Sequence, residues 1–366
     1  MYYIGLMSGT SMDAIDVTIV QFEEQRVNVI AYEQFPIDKD IQSKIRSVDS
    51  TLSITDLTRL DNILGGLFAD AVNNILKVHG IDKDRVAAIG SHGQTLLHIP
   101  DDQYPRSLQI GNPSIIAVRT GIKTISDFRR NDIAAGGQGA PLTPGFHSWM
   151  FRSGEIERAV LNLGGIANIT ILPSDQTEEI MGFDTGPGNG LMDAWSQEKN
   201  QQDYDENGDW AGSGKCNETL LDQLMSHPYF DERPPKSTGK DEFNLKWLMK
   251  SMDNLKHPPA ANDVQRTLLE LSAVTITQAI NKYATQVSEL LVCGGGIHNS
   301  LLMERLKESL GKLEIVSTEN YGIHPDSVEA VAFAWLAWRR IMEQAGNVPS
   351  VTGASKAVLL GGIYQA

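Results

Sequence analysis

Only two cysteines, Cys216 and Cys293, occur in 366 residues, and they stand far apart. That excludes a disulfide framework and a paired-cysteine zinc site, and it fits a reducing compartment. Cationic side chains are scarce too: 31 Lys and Arg face 46 Asp and Glu, a formal net charge of −15. Non-specific nucleic-acid binding needs cations to neutralise phosphates and is excluded on that balance. An anionic ligand is not excluded, because backbone N–H groups and a divalent cation can hold one locally. No apolar run reaches the ~18 residues of a membrane span. The opening Met1-Tyr-Tyr-Ile-Gly-Leu6 lacks a basic stretch followed by an apolar one, so no secretory signal is expected and the cytoplasm is the expected location. A P-loop is missing as well: Gly214-Lys215 runs into Cys216, and the glycine required upstream is Asp209.

What is there is enough chain for two domains. Residues 2–7, 15–22 and 27–35 read as three strands in a meander. Residues 52–79 carry Leu57, Leu60, Leu64, Leu67, Val72 and Ile75 at helical spacing. A short strand, 86–90, delivers Ser91-His-Gly-Gln-Thr95. The segment 127–145 is dense in Gly and Pro and reads as a hinge. The strand–turn–strand plan then recurs at 159–172, around Gly164-Gly165. The predicted organisation is α/β: an N-terminal domain, 1–130 with 356–366, and a C-terminal domain, 131–355, with an inserted or capping stretch at about 200–260.

Two turns rich in Gly, Ser/Thr and Asp lie about half the chain apart. In Met7–Asp16, residues Ser8, Gly9, Thr10 and Ser11 can offer N–H groups and hydroxyls to phosphate oxygens, and Asp13 and Asp16 suit a hard cation such as Mg²⁺. A plain hairpin turn, its Asp and Ser bonded to their own backbone, is an equally good account of it alone. In Gly182–Asn189, Asp184 can take the proton from an attacking hydroxyl and can also meet a metal. Gly186, Gly188 and Asn189 add anion-cradling capacity at a helix start. Strand 289–293 ends in Gly294, Gly295 and Gly296, which let a flat ring approach the backbone or simply make a tight turn. His92, Gln94, Arg129 and Arg130 are candidates for sugar and carboxylate recognition, with one of the two arginines expected in a surface ion pair. Glu329 opens an apolar helix, where the helix dipole alone would favour it.

Taken together and in this order, Gly5–Val20, Gly182–Asn189, Leu291–Asn299 and Asp326–Ala337 resemble the sugar kinase/actin/heat-shock ATPase superfamily. Gly5-Leu-Met-Ser-Gly-Thr-Ser-Met-Asp13, Ser91-His-Gly-Gln-Thr95, Asn162-Leu-Gly-Gly-Ile-Ala-Asn168, Gly182-Phe-Asp-Thr-Gly-Pro-Gly-Asn189 and Pro234-Pro-Lys-Ser-Thr-Gly239 are similar to the anhydro-N-acetylmuramic acid kinase family over essentially the whole chain. The resemblance implies two actin-like (ribonuclease H-like) ATPase domains with an interdomain cleft. It implies an enzyme of cell-wall recycling that uses ATP, Mg²⁺ and water to open 1,6-anhydro-N-acetylmuramic acid and phosphorylate O6. On that reading Asp184 activates the water. Gly9, Thr10, Ser11, Met12, Asp13, Ala14, Ile15 and Asp16 form the ATP phosphate turn. His92, Gln94, Arg130 and Glu329 meet the sugar, and Asp13 and Asp184 meet the metal. The partners are ATP and a small sugar, with no nucleic acid and no membrane; a homodimer is the assembly weighed. Two departures stand out: Met7-Ser8 replace the acidic residue usual before the first Gly-Thr, and Ala14 replaces a glycine. The alternatives are an ordinary hexose or amino-sugar kinase that opens no ring, a nucleotide-dependent binding module, and a glycosidase pairing Asp184 with Glu329.

Overall fold

A computed structural model describes every residue except 10, 11, 49, 50, 101 and 254. The chain divides into two compact units, Met1–Met150 with Ser327–Ala366, and Phe151–Asp326.

In the first unit the strands are β1 (Tyr2–Ser8), β2 (Ala14–Glu23), β3 (Arg26–Pro36), β4 (Val86–Ser91), β5 (Gln94–Ile99), β6 (Arg106–Ile110) and β7 (Thr124–Ser126). The main sheet has the order β3-β2-β1-β4-β7, with a short C-terminal strand, Gly362–Tyr364, on the β7 edge. β2 runs antiparallel to β1 and β3, whereas β4 is parallel to β1 and β7 to β4. β5 and β6 form a separate hairpin. One sheet face is covered by the helix Ile54–Val78, whose start is capped by the Ser53 hydroxyl accepting from Asp56 N–H at 3.1 Å. Its Phe68, Val72 and Ile75 recur at helical spacing and share one core with Ile4, Leu6, Ile15, Val17 and Ile89. Full burial of each such side chain contributes about 1.5–3 kcal/mol.

The opposite face is made for backbone contact. Gly5 and Gly90 are register partners across β1 and β4. A Cβ on Gly5 would stand 1.8 Å from the Ala330 carbonyl oxygen, and one on Gly90 would stand 2.0 Å from that of Phe333. The helix Val328–Ile341 therefore rests on a two-glycine bed. This contact is why the chain from Ser327 onward belongs to the first unit.

The second unit holds β8 (Arg158–Leu163), β9 (Ile166–Leu172), β10 (Met181–Pro187), β11 (Glu289–Cys293) and β12 (Glu314–Ser317), in the order β10-β9-β8-β11-β12. β9 is antiparallel to β8 and β10, while β11 is parallel to β8 and β12 to β11. Each unit thus has strand order 3-2-1-4-5 with only the second strand reversed. Leu268, Leu271 and Ile276 of the helix Ala261–Tyr283 pack with Ala159, Leu161 and Ile169. Leu220, Leu224 and Leu248 join the same core. The stretch 200–260 is therefore part of the second unit's interior rather than a cap outside it.

The division falls at 150/151 and 326/327, not at the expected 130/131 and 355/356. The Gly-rich segment is tied down rather than loose. The buried Asp132 carboxylate accepts from Gly139 N–H, Asn347 Nδ2 and Thr352 Oγ1, each at 2.7 Å. Gln138 N–H donates to the Thr352 carbonyl at 2.7 Å. Further on, the Trp149 ring lies 5.5 Å from that of Trp338, and Phe146 lies 6.2 Å from Trp335.

Candidate active site

Asp184 lies in β10 at a register shift between Asp184 and Gly186, where the strand carries one residue more than β9. Such bulges re-aim side chains. Phe183 before it is buried in the core and Thr185 after it is buried, with Oγ1 donating to the Ala167 carbonyl at 3.2 Å; Asp184 itself is half-buried. A strap running from Tyr229 to Glu242 fastens it. Asp184 N–H donates to the Lys236 carbonyl at 3.1 Å, and Tyr229 OH donates to the Asp184 carbonyl at 2.7 Å. Thr238 N–H donates to Oδ2 at 3.0 Å. One backbone N–H thus fixes the direction of the carboxylate.

The glycines of this second turn serve packing. A Cβ on Gly186, whose φ is +143°, would stand 2.8 Å from the Phe230 ring. One on Gly188 would stand 2.2 Å from the Gly164 carbonyl oxygen. The N–H groups of Gly188 and Asn189, expected to cradle an anion, donate instead to the carbonyls of Gly165 at 3.0 Å and Gly164 at 2.8 Å. Strand order gives the reason. The counterpart of the β1–β2 turn is the β8–β9 turn, Gly164-Gly165, and Gly186–Asn189 buttress that turn from behind. Of the three glycines after β11, Gly294 (φ +82°) and Gly296 abut Asn162, Leu163 and Asn189, whereas Gly295 faces open space.

In the first turn, Thr10 and Ser11 lie outside the described residues. Met12 adopts φ +60° and is buried with Ile45, Leu60, Leu64 and Ile110. Ile15 is buried in the main core. These two side chains pin the turn, leaving only their backbone to meet a ligand. Gly9 accepts from Met12 N–H at 3.1 Å, and Ala14 opens β2. Asp13 is exposed, and its carbonyl accepts from Ile37 N–H at 2.8 Å. Asp16 Oδ1 accepts from Tyr32 OH at 2.7 Å and Gln34 Nε2 at 2.9 Å on β3, an anchor between strands.

His92 follows β4. Its N–H donates to the Leu6 carbonyl at 2.9 Å, and ring Nδ1 lies 3.0 Å from the Gly93 carbonyl. Arg129 Nη2 donates to Nε2 at 2.9 Å, and its Nη1 donates to the Gly139 carbonyl at 2.7 Å. Burial first, then the Arg129 charge, lowers the imidazole to about 3, so it is neutral with the proton on Nδ1. Both nitrogens are used. His92 therefore positions Arg129 instead of offering a nitrogen to a sugar. Arg130 is the arginine in the surface ion pair, 3.4 Å from Asp127 with a side chain 59% exposed. Glu329 is half-buried in the first turn of the helix Val328–Ile341.

Orphaned polar atoms mark where a ligand is wanted. Ser8 Oγ ends β1, Ser91 Oγ ends β4 and Gln94 Oε1 follows; Asn189 Oδ1 stands beside the β8–β9 turn. All four are buried without a hydrogen-bond partner. They fall where central strands of each sheet end, the usual edge for ligands of open α/β sheets. Among the described residues no group of three or more His, Cys, Asp or Glu could hold a metal ion. A Mg²⁺ carried by phosphates needs only one or two carboxylates, and Asp13 and Asp184 remain available in kind for that role.

Sequence reasoning missed Tyr229, Lys236 and Thr238, which sit in a stretch read as a cap. It also gave Gly164-Gly165 no role, although two glycines between two apolar strands are a hairpin signal.

Two α/β units of one strand order, each with a Gly-bearing hairpin turn after its first strand, define an actin-like fold of the sugar-kinase class. The family model "Anhydro-N-acetylmuramic acid kinase" matches residues 1–366. An anhydro-N-acetylmuramic acid kinase of Photobacterium profundum is 47% identical over 373 residues, covering 100% of this chain and 98% of the relative. One from Coxiella burnetii is 46% identical, covering 99% and 97%. The chain belongs to the anhydro-N-acetylmuramic acid kinase family. Among solved structures, the activator of the 2-hydroxyisocaproyl-CoA dehydratase from Clostridium difficile with bound ADPNP is similar at TM-score 0.46 and 14% identity, covering 94% of this chain and 96% of that one. Strand order, not that likeness, defines the fold here.

Proposed function

We propose that this chain uses ATP and water to open the 1,6-anhydro ring of 1,6-anhydro-N-acetylmuramic acid and to phosphorylate O6, giving N-acetylmuramic acid 6-phosphate and ADP in peptidoglycan recycling. The supporting observation is Asp184, turned out of β10 by a bulge and held through Oδ2 by Thr238 N–H. A carboxylate so held can take a proton from water as the water attacks the anomeric carbon. The C1–O6 bond breaks, O6 attacks the γ-phosphorus, and ADP leaves.

The remaining roles follow from chemistry and place. The turns Met7–Asp16 and Gly164-Gly165 serve the polyphosphate, one from each unit, as the proposed cleft of the fold requires. Gly186, Gly188 and Asn189 serve it by holding Gly164-Gly165 in place, and Gly295 admits the nucleoside. Mg²⁺, with Asp13 or Asp184 as its carboxylate, would neutralise phosphate charge. Gln94, Arg130 and Glu329 are assigned to the sugar, with His92 acting through Arg129. Among the described residues no helix is long and apolar enough to cross a membrane, and use of ATP assigns the reaction to the cytoplasm.

Turnover of the anhydro sugar with ATP in ¹⁸O-enriched water tests this. Label at the product's anomeric oxygen is expected. A phosphorylated product with its ring intact and no label there would identify an ordinary sugar kinase instead, and label appearing without ATP consumption would identify a glycosidase.

A further inference from the structure

The turn after β11 carries a side chain that neither the packing nor the proposed chemistry has used. Gly295–His298 is a single turn of 3₁₀ helix. Side chains three positions apart in such a turn stand one above the other, and Gly295 and His298 are such a pair. The space beside Gly295 is open, with nothing within 4 Å of where its Cβ would be. The imidazole of His298 therefore stands on the side of that opening, its side chain 60% exposed.

The ring is held in one orientation. Its Nε2 lies 2.9 Å and 3.1 Å from the two carboxylate oxygens of Asp326. The neutral ring thus keeps its proton on Nε2 and donates it to Asp326, which leaves Nδ1 as an acceptor. Nδ1 has no hydrogen-bond partner among the described residues. Fastening the turn accounts for little of this. Gly294 N–H already ties it to the Pro325 carbonyl at 3.0 Å, and an ion pair with so exposed a partner adds little stability. His324, the second imidazole near Asp326, is turned to the backbone instead: its Nδ1 accepts from Asp326 N–H at 3.3 Å. On the other flank Gly296 abuts Asn189, whose Oδ1 is buried with no hydrogen-bond partner. One short turn of the unit Phe151–Asp326 thus presents an open backbone, an oriented acceptor above it and an unsatisfied acceptor beside it.

We propose that His298, oriented by Asp326, reads the nucleoside of the bound triphosphate: Nδ1 accepts a hydrogen bond from it and so makes the enzyme discriminate among nucleotides. The proposal rests on the reading that Gly295 admits the nucleoside. A nucleoside lying on that backbone offers two kinds of donor, the 6-amino group of the base and the ribose hydroxyls, and either meets Nδ1 by the same chemistry.

The test is steady-state kinetics of the full-length enzyme with saturating anhydro sugar and with ATP, ITP, 2′-deoxy-ATP or 3′-deoxy-ATP as phosphoryl donor. ITP replaces the amino group by a carbonyl, and each deoxy analogue lacks one hydroxyl. In the wild type the analogue that lacks the donor should lose about three- to tenfold in kcat/KM, the worth of one hydrogen bond. His298→Phe keeps a ring but has no acceptor. Its KM for ATP should rise by a similar factor with kcat within about twofold, and the penalty on that one analogue should vanish. A penalty that vanishes for ITP identifies the amino group; one that vanishes for a deoxy analogue identifies the hydroxyl. Penalties that all survive in His298→Phe overturn the proposal even if KM for ATP has risen, because a change of packing alone weakens every donor alike. A wild type that penalises no analogue overturns it too. If His298→Phe does not fold, His298→Ala carries the same test. Gly295→Ala separates the two layers. A normal KM for ATP in that variant sinks the nucleoside turn itself, whereas a raised one beside surviving penalties in His298→Phe sinks only the acceptor.

Discussion

Gly295 has nothing within 4 Å of where a Cβ would be, while Gly294 and Gly296 are walled in by β8 and Asn189. The two crowded glycines are explained by folding. The uncrowded one is left for a ligand, and its backbone is what a nucleoside could approach. Gly295→Ala should therefore leave the midpoint of chemical denaturation unchanged while raising KM for ATP several-fold. Wild-type kinetics in that variant would return all three glycines to a plain strand-to-helix turn. His92 teaches the same lesson in reverse. It stands in a motif of polar residues, yet it lies 4.5 Å from the Phe333 ring with Arg129 on one nitrogen and a carbonyl on the other. A histidine with both nitrogens spoken for is a bracket for its neighbour.

At the scale of elements, the Gly5/Gly90 bed is the most exacting contact of the first unit. A methyl at Gly5 would overlap a helix carbonyl at 1.8 Å, and neither backbone can give way without disturbing a strand or a helix. Gly5→Ala should cost about 3 kcal/mol, the upper end for overpacking in a dense core. Urea denaturation followed by circular dichroism would measure it, and a loss below about 0.5 kcal/mol, the scatter of neutral surface changes, would mean that the helix shifts freely. The elements themselves were legible. The helix expected over 52–79 is Ile54–Val78, the strand expected at 86–90 is Val86–Ser91, and Glu289–Cys293 falls as read, because apolar spacing and Gly or Ser punctuation fix such runs locally. The C-terminal strand is short, Gly362–Tyr364, and no apolar spacing marks it. Asp184 was singled out as a carboxylate among glycines, but the bulge that turns it out of β10 was not legible. The strap was not, since nothing in Pro234–Gly239 reports which strand it will cross. Nor was the pairing of turns, because which hairpin answers which depends on strand order, and strand order is not a local property.

For the molecule as a whole, acid should act through two histidines of the first unit. His92 and His147 are both lowered to about 3, His147 by burial and His92 by burial first. Their unfolded values lie near 6.5. Between those limits the unfolded chain binds protons that the folded chain refuses. Stability is fully present above about pH 6.5 and falls as pH drops toward 3, by up to about 1.4 kcal/mol per pH unit for each histidine. Urea midpoints measured from neutral pH downward should fall along that slope, and His147→Gln should flatten it if folding survives the change; a midpoint constant down to pH 5 would contradict the assignment.

The helix on the two-glycine bed also sets an order in time. During synthesis, β1 and β4 emerge before the second unit, but the helix that covers Gly5 and Gly90 is made only after it. Phe151–Asp326, by contrast, is contiguous, and its core draws only on its own residues. The middle of the chain can finish folding on the ribosome while the beginning still waits for its partner, the reverse of the usual head-first order. In that interval the sheet face around Gly5 and Gly90 lacks its covering helix, and a chaperone could shield it.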